Sequence, residues 1–519
     1  MRTMEEAKVT GVEQDLLQAP TTMEESEKAQ HVDTIFTEVD HAEPYSVFSP
    51  ALRTFLTYFL GYAMIISTLT ATIYFPLIPI LSTQLHVSIQ SINLTVTVYA
   101  IAQALSPAIF ASLADSFGRR PVFLCLVTLY AVPSLGLALN RTSYPALITL
   151  RALQSIGGSA IPSISYGVVA DVAPVAERGS MLGPMLSTCN GISAIGPVIG
   201  GAVALGTRGV RWVFLALFII AVTCLVLAGF TLPETARNVV GNGSVPAVGI
   251  WRTWWSVLVS KKSQREEVCD EQNSAKKRQA WRAANAFASF RIILYKDAAV
   301  VLWMVASSYS VYYTFQVAIP VIFDDIYRYN ELQIGLVLLP GLAGMTIGGI
   351  IAGKLVDRNY AVTARNHNVE ASKKNEGFQP DFPLEVARYR NCFVFILIEM
   401  LLVIGYGWAV HFRVHPAVPI ILQFFICGTS TLLSHTASAL LVDIFPEMSS
   451  TAYASGQIMR CGLSAASAAV IQPIINAVGR GWYFTMFSLF VGTTGAGSVF
   501  MSRLKGMKWR QKRHSQQTA

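Results

Sequence analysis

Twelve stretches of mostly apolar residues dominate the chain, and short polar connections separate most of them. A spanning helix needs about 20 such residues. That rule predicts spans over 56–80, 92–114, 122–140, 145–168, 181–204, 212–232, 299–322, 333–355, 391–410, 417–440, 452–475 and 482–502. A polar stretch from Pro233 to Asp297 separates six spans from six. The pattern therefore divides the chain into an N-terminal tail (1–52), a six-helix bundle (53–232), a central connection (233–297), a second bundle (298–503) and a basic tail (504–519).

One polar element occurs twice. Between spans 2 and 3 runs ASLADSFGRRP, residues 111–121, where Asp115 closes one run and Gly118, Arg119 and Arg120 make a basic turn. Two spans joined by so tight a turn lie side by side. A fainter copy, Gly353 to Arg358, ends span 8 with Asp357 and Arg358. One element used twice, half a chain apart, suggests two related halves, as in secondary transporters. The expected fold is an all-α integral membrane protein with 12 transmembrane helices in two pseudo-symmetric six-helix bundles.

Composition agrees. The 519 residues are 53% hydrophobic and 13% charged, against about 25% charged in soluble proteins. The net charge of +8 is a topology signal and not a nucleic-acid one. Of the 39 Lys and Arg, only Arg141, Arg208, Arg211, Arg328, Arg413 and Arg480 fall in one alternate set of connections. Arg151 and Arg460 lie inside spans, and the rest fall on the other side, which predicts both termini in the cytoplasm. The first 50 residues are acidic, with Glu24, Glu25 and Glu27 among them, and read as a disordered tail without a cleavable signal. The seven cysteines show no CxxC or ligand spacing, so neither a metal nor a disulfide framework is expected. No GxxxxGK[ST] is present, so no nucleotide and no other cofactor is expected, and an ion gradient would supply the energy.

Ionisable side chains inside a span are costly and are functional candidates by default. They are Arg151 in span 4, Glu399 in span 9, His435 in span 10 and Arg460 in span 11. Arg460 shares a face with Gly456, Ser464 and Ser467, and His435 with Thr431, Ser434 and Ser438. For each, a packed or hydrogen-bonded structural role competes with a role in transport. Tyr309, Tyr312, Tyr313 and Gln316 follow i, i+3, i+4, i+7 spacing and form one face of span 7, expected to border a cavity. Gly196, Pro197, Gly200 and Gly201 in span 5 let helices approach closely. Asn140-Arg141-Thr142 is a glycosylation sequon in a short outer connection.

These motifs resemble those of the major facilitator superfamily, in particular the fungal 12-helix drug:proton antiporters and the branch with quinidine-resistance pumps and organic-acid exporters. The 111–121 element is similar to the superfamily's loop motif, with Ala111 where Gly is usual and Ser116 where a basic residue is usual. GPVIGG resembles the antiporter motif, and Arg151, Gln154 and Gly157 resemble the span 4 motif. LPETARNVVGNGS (232–244) and PDFPLEVARYRN (380–391) look like signatures of the branch.

The resemblance implies that Asp115, Gly118, Arg119, Arg120, Asp171 and Arg178 latch a cytoplasmic gate. Asp357 and Arg358, with Asp443, would form its second copy. It implies a substrate and proton pathway through Arg151, Gln154, Tyr309, Tyr313, Gln316, Glu399, His435 and Arg460. Span 9 is usually peripheral in that fold, which weighs toward a salt-bridged or capped Glu399. Span 1 has no acid between Arg53 and His86, so the proton carrier stays unassigned. The expected activity is export of a small drug or metabolite by proton antiport, from a monomer in the plasma membrane. The alternative is an organic-acid exporter or facilitator in which Arg151 and Arg460 hold two carboxylates.

Overall fold

The computed structural model describes residues 45–74, 77–207, 210–259, 288–329, 331–366 and 382–518. The acidic tail before Tyr45 and the basic stretch 260–287 lie outside the described residues. Among the described residues the structure is wholly helical between turns.

Span 1 is α1, Pro50–Thr72, continued by the short α2, Ile78–Leu85. Ser49 caps α1 by accepting from the Leu52 N–H, and Pro50 occupies the first turn, where no hydrogen bond is lost. Spans 2 and 3 are α3, Ile89–Phe117, and α4, Arg119–Leu139. Span 4 is broken at Ala160 into α5, Tyr144–Ser159, and α6, Ile161–Val172, with Pro162 in the first turn of α6. Spans 5 and 6 are α7, Arg178–Thr207, and α8, Arg211–Thr231. The second half follows as α9 (Lys296–Tyr327), α10 (Glu331–Asn366), α11 (Cys392–His411), α12 (Ala417–Ile444), α13 (Ser449–Val478) and α14 (Arg480–Thr518). Ten of these helices are individually long and apolar enough to cross a membrane. With the broken span 4 and α7, the twelve-span fold is complete.

Two regions named from the sequence are more structured than their polarity suggests. The central connection is folded at both ends. Trp251 of its first part donates to the Phe117 carbonyl at 2.8 Å, and helix Ala288–Leu294 leads into α9. The basic tail continues α14, and Arg510 and Arg513 are buried against the second half, donating to the carbonyls of Phe382 and Ile444.

The largest apolar core runs from Leu56 to Leu232, joined by Ala439, Val442 and Tyr453, and two further cores lie within Ile292–Val499. The halves meet along two seams, α7 against α10 and α3 with α6 against α13. Each seam pairs one helix with the pseudo-symmetry mate of its partner's counterpart: second with eleventh, fifth with eighth. The α7–α10 seam is closed by glycines. A Cβ on Gly353 would overlap the Gly179 carbonyl, and one on Gly183 would stand 3.2 Å from the Gly353 Cα. Without side chains the two backbones touch, which favours close helix association in lipid.

This seam sets the first prediction. Gly353→Val leaves no room for closure, and overpacking of this kind costs about 1–3 kcal/mol. Transport should fall about tenfold or more with membrane expression unchanged, while a cysteine at Ser187, buried in the seam, becomes more accessible to a membrane-impermeant maleimide. Unchanged labelling and flux would show that the seam does not need backbone contact.

Candidate functional site

Both described ends of the chain and the folded part of the central connection gather on one face, called here the terminal face. Its centre is a charge cluster. Arg119 forms an ion pair with Asp115 and donates through Nε to Asp171 at 2.9 Å. Its other nitrogens reach across to the second half, donating to the hydroxyls of Ser450 at 2.8 Å and Ser449 at 3.1 Å. Asp115 crosses as well: it accepts from the backbone N–H groups of Ser450 (3.2 Å) and Thr451 (2.7 Å) and from the Thr451 hydroxyl (2.5 Å). These are the orphan donors of the first turn of α13, so a carboxylate from the first half caps and charge-complements a helix of the second.

The second copy repeats the arrangement. Asp357, inside α10 before its last two turns, accepts from the Gly179 N–H at 2.8 Å, in the first turn of α7. Asp443 takes the place of Asp171. It pairs with Arg178 and with Arg388, whose Nε donates to it at 2.8 Å. Arg388 also donates to the Val175 carbonyl of the first half at 2.8 Å. Arg358 is exposed, so Arg388, inside the 380–391 stretch, fills the role expected of it.

Arg120 makes no contact across the halves. It closes the end of α8 by donating to the carbonyls of Ala228 (2.8 Å), Gly229 (2.8 Å) and Leu232 (3.0 Å). Gly118 has φ +119°, and a Cβ there would stand 2.7 Å from Glu234 and Trp251. Glu234, from the LPETAR stretch, accepts from the N–H groups of Arg119 (2.9 Å) and Arg120 (3.2 Å) and so caps α4. Burial pushes the Glu234 carboxyl above its usual range, against the pull of backbone N–H groups of Ala236, Arg119 and Thr235. Tyr45 completes the cluster by donating to the Ala170 carbonyl (2.8 Å) and accepting from Arg178 (3.0 Å). Sequence reasoning missed Glu234, Arg388, Tyr45 and the Ser449–Thr451 turn. The signature stretches marked two of them, while nothing local marks the other two.

A cavity of about 120 Å³ lies between the halves. Ser67, Gln103, Pro162, Cys189 and Asn190 line it from the first half, and Tyr309, Tyr312, Ser430, Ser434, His435, Tyr453, Gln457 and Arg460 from the second. Arg460 is 5% exposed and has no acidic partner among the described residues. It donates to the Tyr453 hydroxyl (2.9 Å) and the Ser438 hydroxyl (2.5 Å), and its Nε finds no acceptor. His435 meets the Tyr166 hydroxyl through Nδ1 at 3.3 Å, and its Nε2 is unpartnered. Tyr166 and Tyr453 stack across the halves, with centroids 3.9 Å apart.

The structure gathers only part of the expected pathway. Tyr309, His435 and Arg460 border the cavity, whereas Tyr313 and Gln316 do not. Tyr313 is 38% exposed. Arg151 and Gln154 form a separate buried cluster in the first half. The Arg151 guanidinium lies 3.9 Å from the Tyr74 ring centroid and 4.3 Å from that of Tyr99, and it donates to Gln154 at 2.8 Å. Arg151 and Arg460 therefore do not face one cavity as a pair. Glu399 is buried in α11 behind the lining of α12. Gly196 packs on Leu69 and Thr72 of α1, and Pro197, Gly200 and Gly201 follow it in α7. Asn140 is engaged in its own turn, donating to the Ser143 carbonyl at 2.8 Å.

The terminal-face latch yields the second prediction. Asp115→Ala takes one of two carboxylates from Arg119 and leaves the α13 backbone donors without their acceptor, and breaking a buried pair costs about 3–5 kcal/mol. A cysteine at Ser434, in a background without native cysteines, should label faster from the terminal face. Asp357→Ala should do the same through α7, while Arg358→Ala should not. Equal effects of Asp357→Ala and Arg358→Ala would refute the assignment.

Comparison with known proteins agrees with this geometry. The family model described as Major Facilitator Superfamily matches residues 60–469. Citrate exporter 1 of Aspergillus niger is 34% identical over 464 residues, covering 88% of this chain and 86% of that protein. The MFS antiporter QDR2 of Candida albicans is 28% identical, covering 89% and 90%. The crystal structure of the human organic anion transporter MFSD10 shares the fold, with a TM-score of 0.56 at 16% identity over 88% of this chain and 100% of that one. A twelve-span fold with two symmetry-related charge clusters, matched over most of its length by this family, makes the chain a member of the major facilitator superfamily, a membrane transporter of the fungal type.

Proposed function

We propose that the protein exports a small organic anion from the cytoplasm across the plasma membrane by proton antiport, with the terminal face inside. Two bundles, 53–232 and 298–503, would rock about the cavity, and the latched terminal face corresponds to an arrangement closed to the cytoplasm. The observation that carries the anion is Arg460. It is a buried cation facing the cavity with a free Nε and no acid to neutralise it. An anionic ligand would supply what the cavity lacks, through charge-assisted bonds worth about 1.5–3 kcal/mol each. His435 and Tyr309 stand beside it as further polar contacts. The citrate exporter among the relatives supports a carboxylate, and the QDR2 antiporter supports antiport.

A second reading is an uncharged or cationic drug or metabolite. The apolar part of the lining favours it, with Met64, Pro162, Leu186, Met345 and the Tyr312 ring.

Efflux from cells loaded with labelled di- and tricarboxylates, or with cationic drugs, separates the two. Carboxylate efflux should stop with a protonophore. Arg460→Gln should lower it about tenfold or more, about 1.4 kcal/mol or above, at equal surface expression, with Arg460→Lys in between. Arg151→Gln should leave carboxylate affinity unchanged, because its guanidinium does not face the cavity. Drug efflux indifferent to Arg460→Gln would transfer the assignment to the second reading.

A further inference from the structure

Glu399 stands apart from the other buried acids. Asp115, Asp171, Asp297, Glu385 and Asp443 each have an arginine partner, and Asp357 and Glu234 accept backbone N–H groups. Glu399 is 5% exposed in the middle of α11, has the Ser430 hydroxyl as its polar neighbour, and leaves Oε1 without a partner. Its helix packs on α12 and α14. From α12 the facing groups are Ser430 and the Cys427 thiol, while His435 faces the cavity. From α14 the stretch 481–502 contributes no Asp, Glu, Lys, Arg or His. The salt bridge weighed for this residue is thus absent among the described residues. A carboxyl group in lipid without a cation is costly, and packing alone gains nothing from it over an amide.

Its neighbour connects it to the cavity. Ser430 borders the cavity on α12 and donates its single proton to the Ser308 carbonyl of α9 at 2.6 Å. Ser308 lies next to Tyr309, and Thr431 and Ser434 adjoin Ser430. We propose that Glu399 carries the coupled proton and that Ser430 reports its state to the substrate cavity. The inference rests on the proton-antiport reading above.

The hydrogen-bond inventory gives the mechanism. With a proton on Glu399, the carboxyl O–H can donate to Ser430 while Ser430 keeps its observed donation to the Ser308 carbonyl. When that proton leaves, the carboxylate can only accept. Ser430 must then turn its one O–H to Glu399, and its bond to Ser308, which ties α12 to α9, is lost. One proton taken up from the outside and released to the cytoplasm makes and breaks this tie once per cycle, as one substrate molecule leaves. The carboxyl thereby biases a two-state element without touching the substrate.

Inside-out vesicles with labelled citrate test this in two assays: accumulation driven by an acid interior, and counterflow exchange without a gradient. E399Q should lose driven accumulation about tenfold or more and keep counterflow within about twofold. Its counterflow should be flat across a pH series over which the wild type varies. Ser430→Ala should also lose driven accumulation about tenfold or more. Driven accumulation that survives in E399Q would overturn the assignment while leaving proton antiport intact. Loss of counterflow in E399Q that Glu399→Asp fails to restore would overturn it in favour of a structural acid. Wild-type accumulation insensitive to a protonophore would refute antiport itself, and the coupled proton with it.

Discussion

A carboxylate on the first turn of a helix from the opposite half is the contact on which the closed molecule depends. Asp115 holds α13 and Asp357 holds α7, each by accepting backbone N–H groups of the helix's first turn. In a membrane the two halves gain little hydrophobic energy from meeting, because lipid is as apolar as the spans. Direction therefore falls to a few polar contacts placed at the membrane surface, where losing them is cheap enough to be reversible. The arginines Arg119, Arg178 and Arg388 then keep each carboxylate set from being buried alone.

The seams between the halves follow the same logic. Side chains are absent where the backbones approach, as at Gly179 and Gly353, and aromatic faces stack across the halves at Tyr166 and Tyr453. The apolar contact between the halves includes Ala439, Val442 and Tyr453 against the first-half core. Polar chemistry is concentrated instead in the cavity, where Arg460 keeps a positive charge unneutralised, and behind it, where Glu399 keeps a carboxyl without a cation.

That separation of charge has a functional meaning. An arginine without an acid and an acid without a base lie in the same half, and the lining of α12 stands between them. On the proposed antiport reading, substrate and proton would act on one helix without competing for one site, and the direction of the Ser430 hydrogen bond would carry the coupling without a large displacement at Glu399.

The sequence alone determined the membrane class, the twelve spans and the two-fold repeat, because each follows from local composition and from one motif that occurs twice. It also marked Asp115, Arg119, Asp171, Arg178 and Asp357, whose chemistry makes sense only at a span end, and it marked Arg460 and Glu399 by the cost of burying them. Partners were not legible. Glu234, Arg388 and the Ser449–Thr451 turn join the charge clusters from loops and helix ends far along the chain, and Arg388 in place of Arg358 pairs with Asp443. Helical periodicity grouped Tyr309 with Tyr313 and Gln316, but helix α9 turns only part of that face to the cavity. Arg151 and Arg460 look alike in sequence, yet one is enclosed by tyrosines of its own half and the other faces the space between halves. Which face of a span meets water, lipid or the other half is decided by helix packing, and only the tertiary structure contains it.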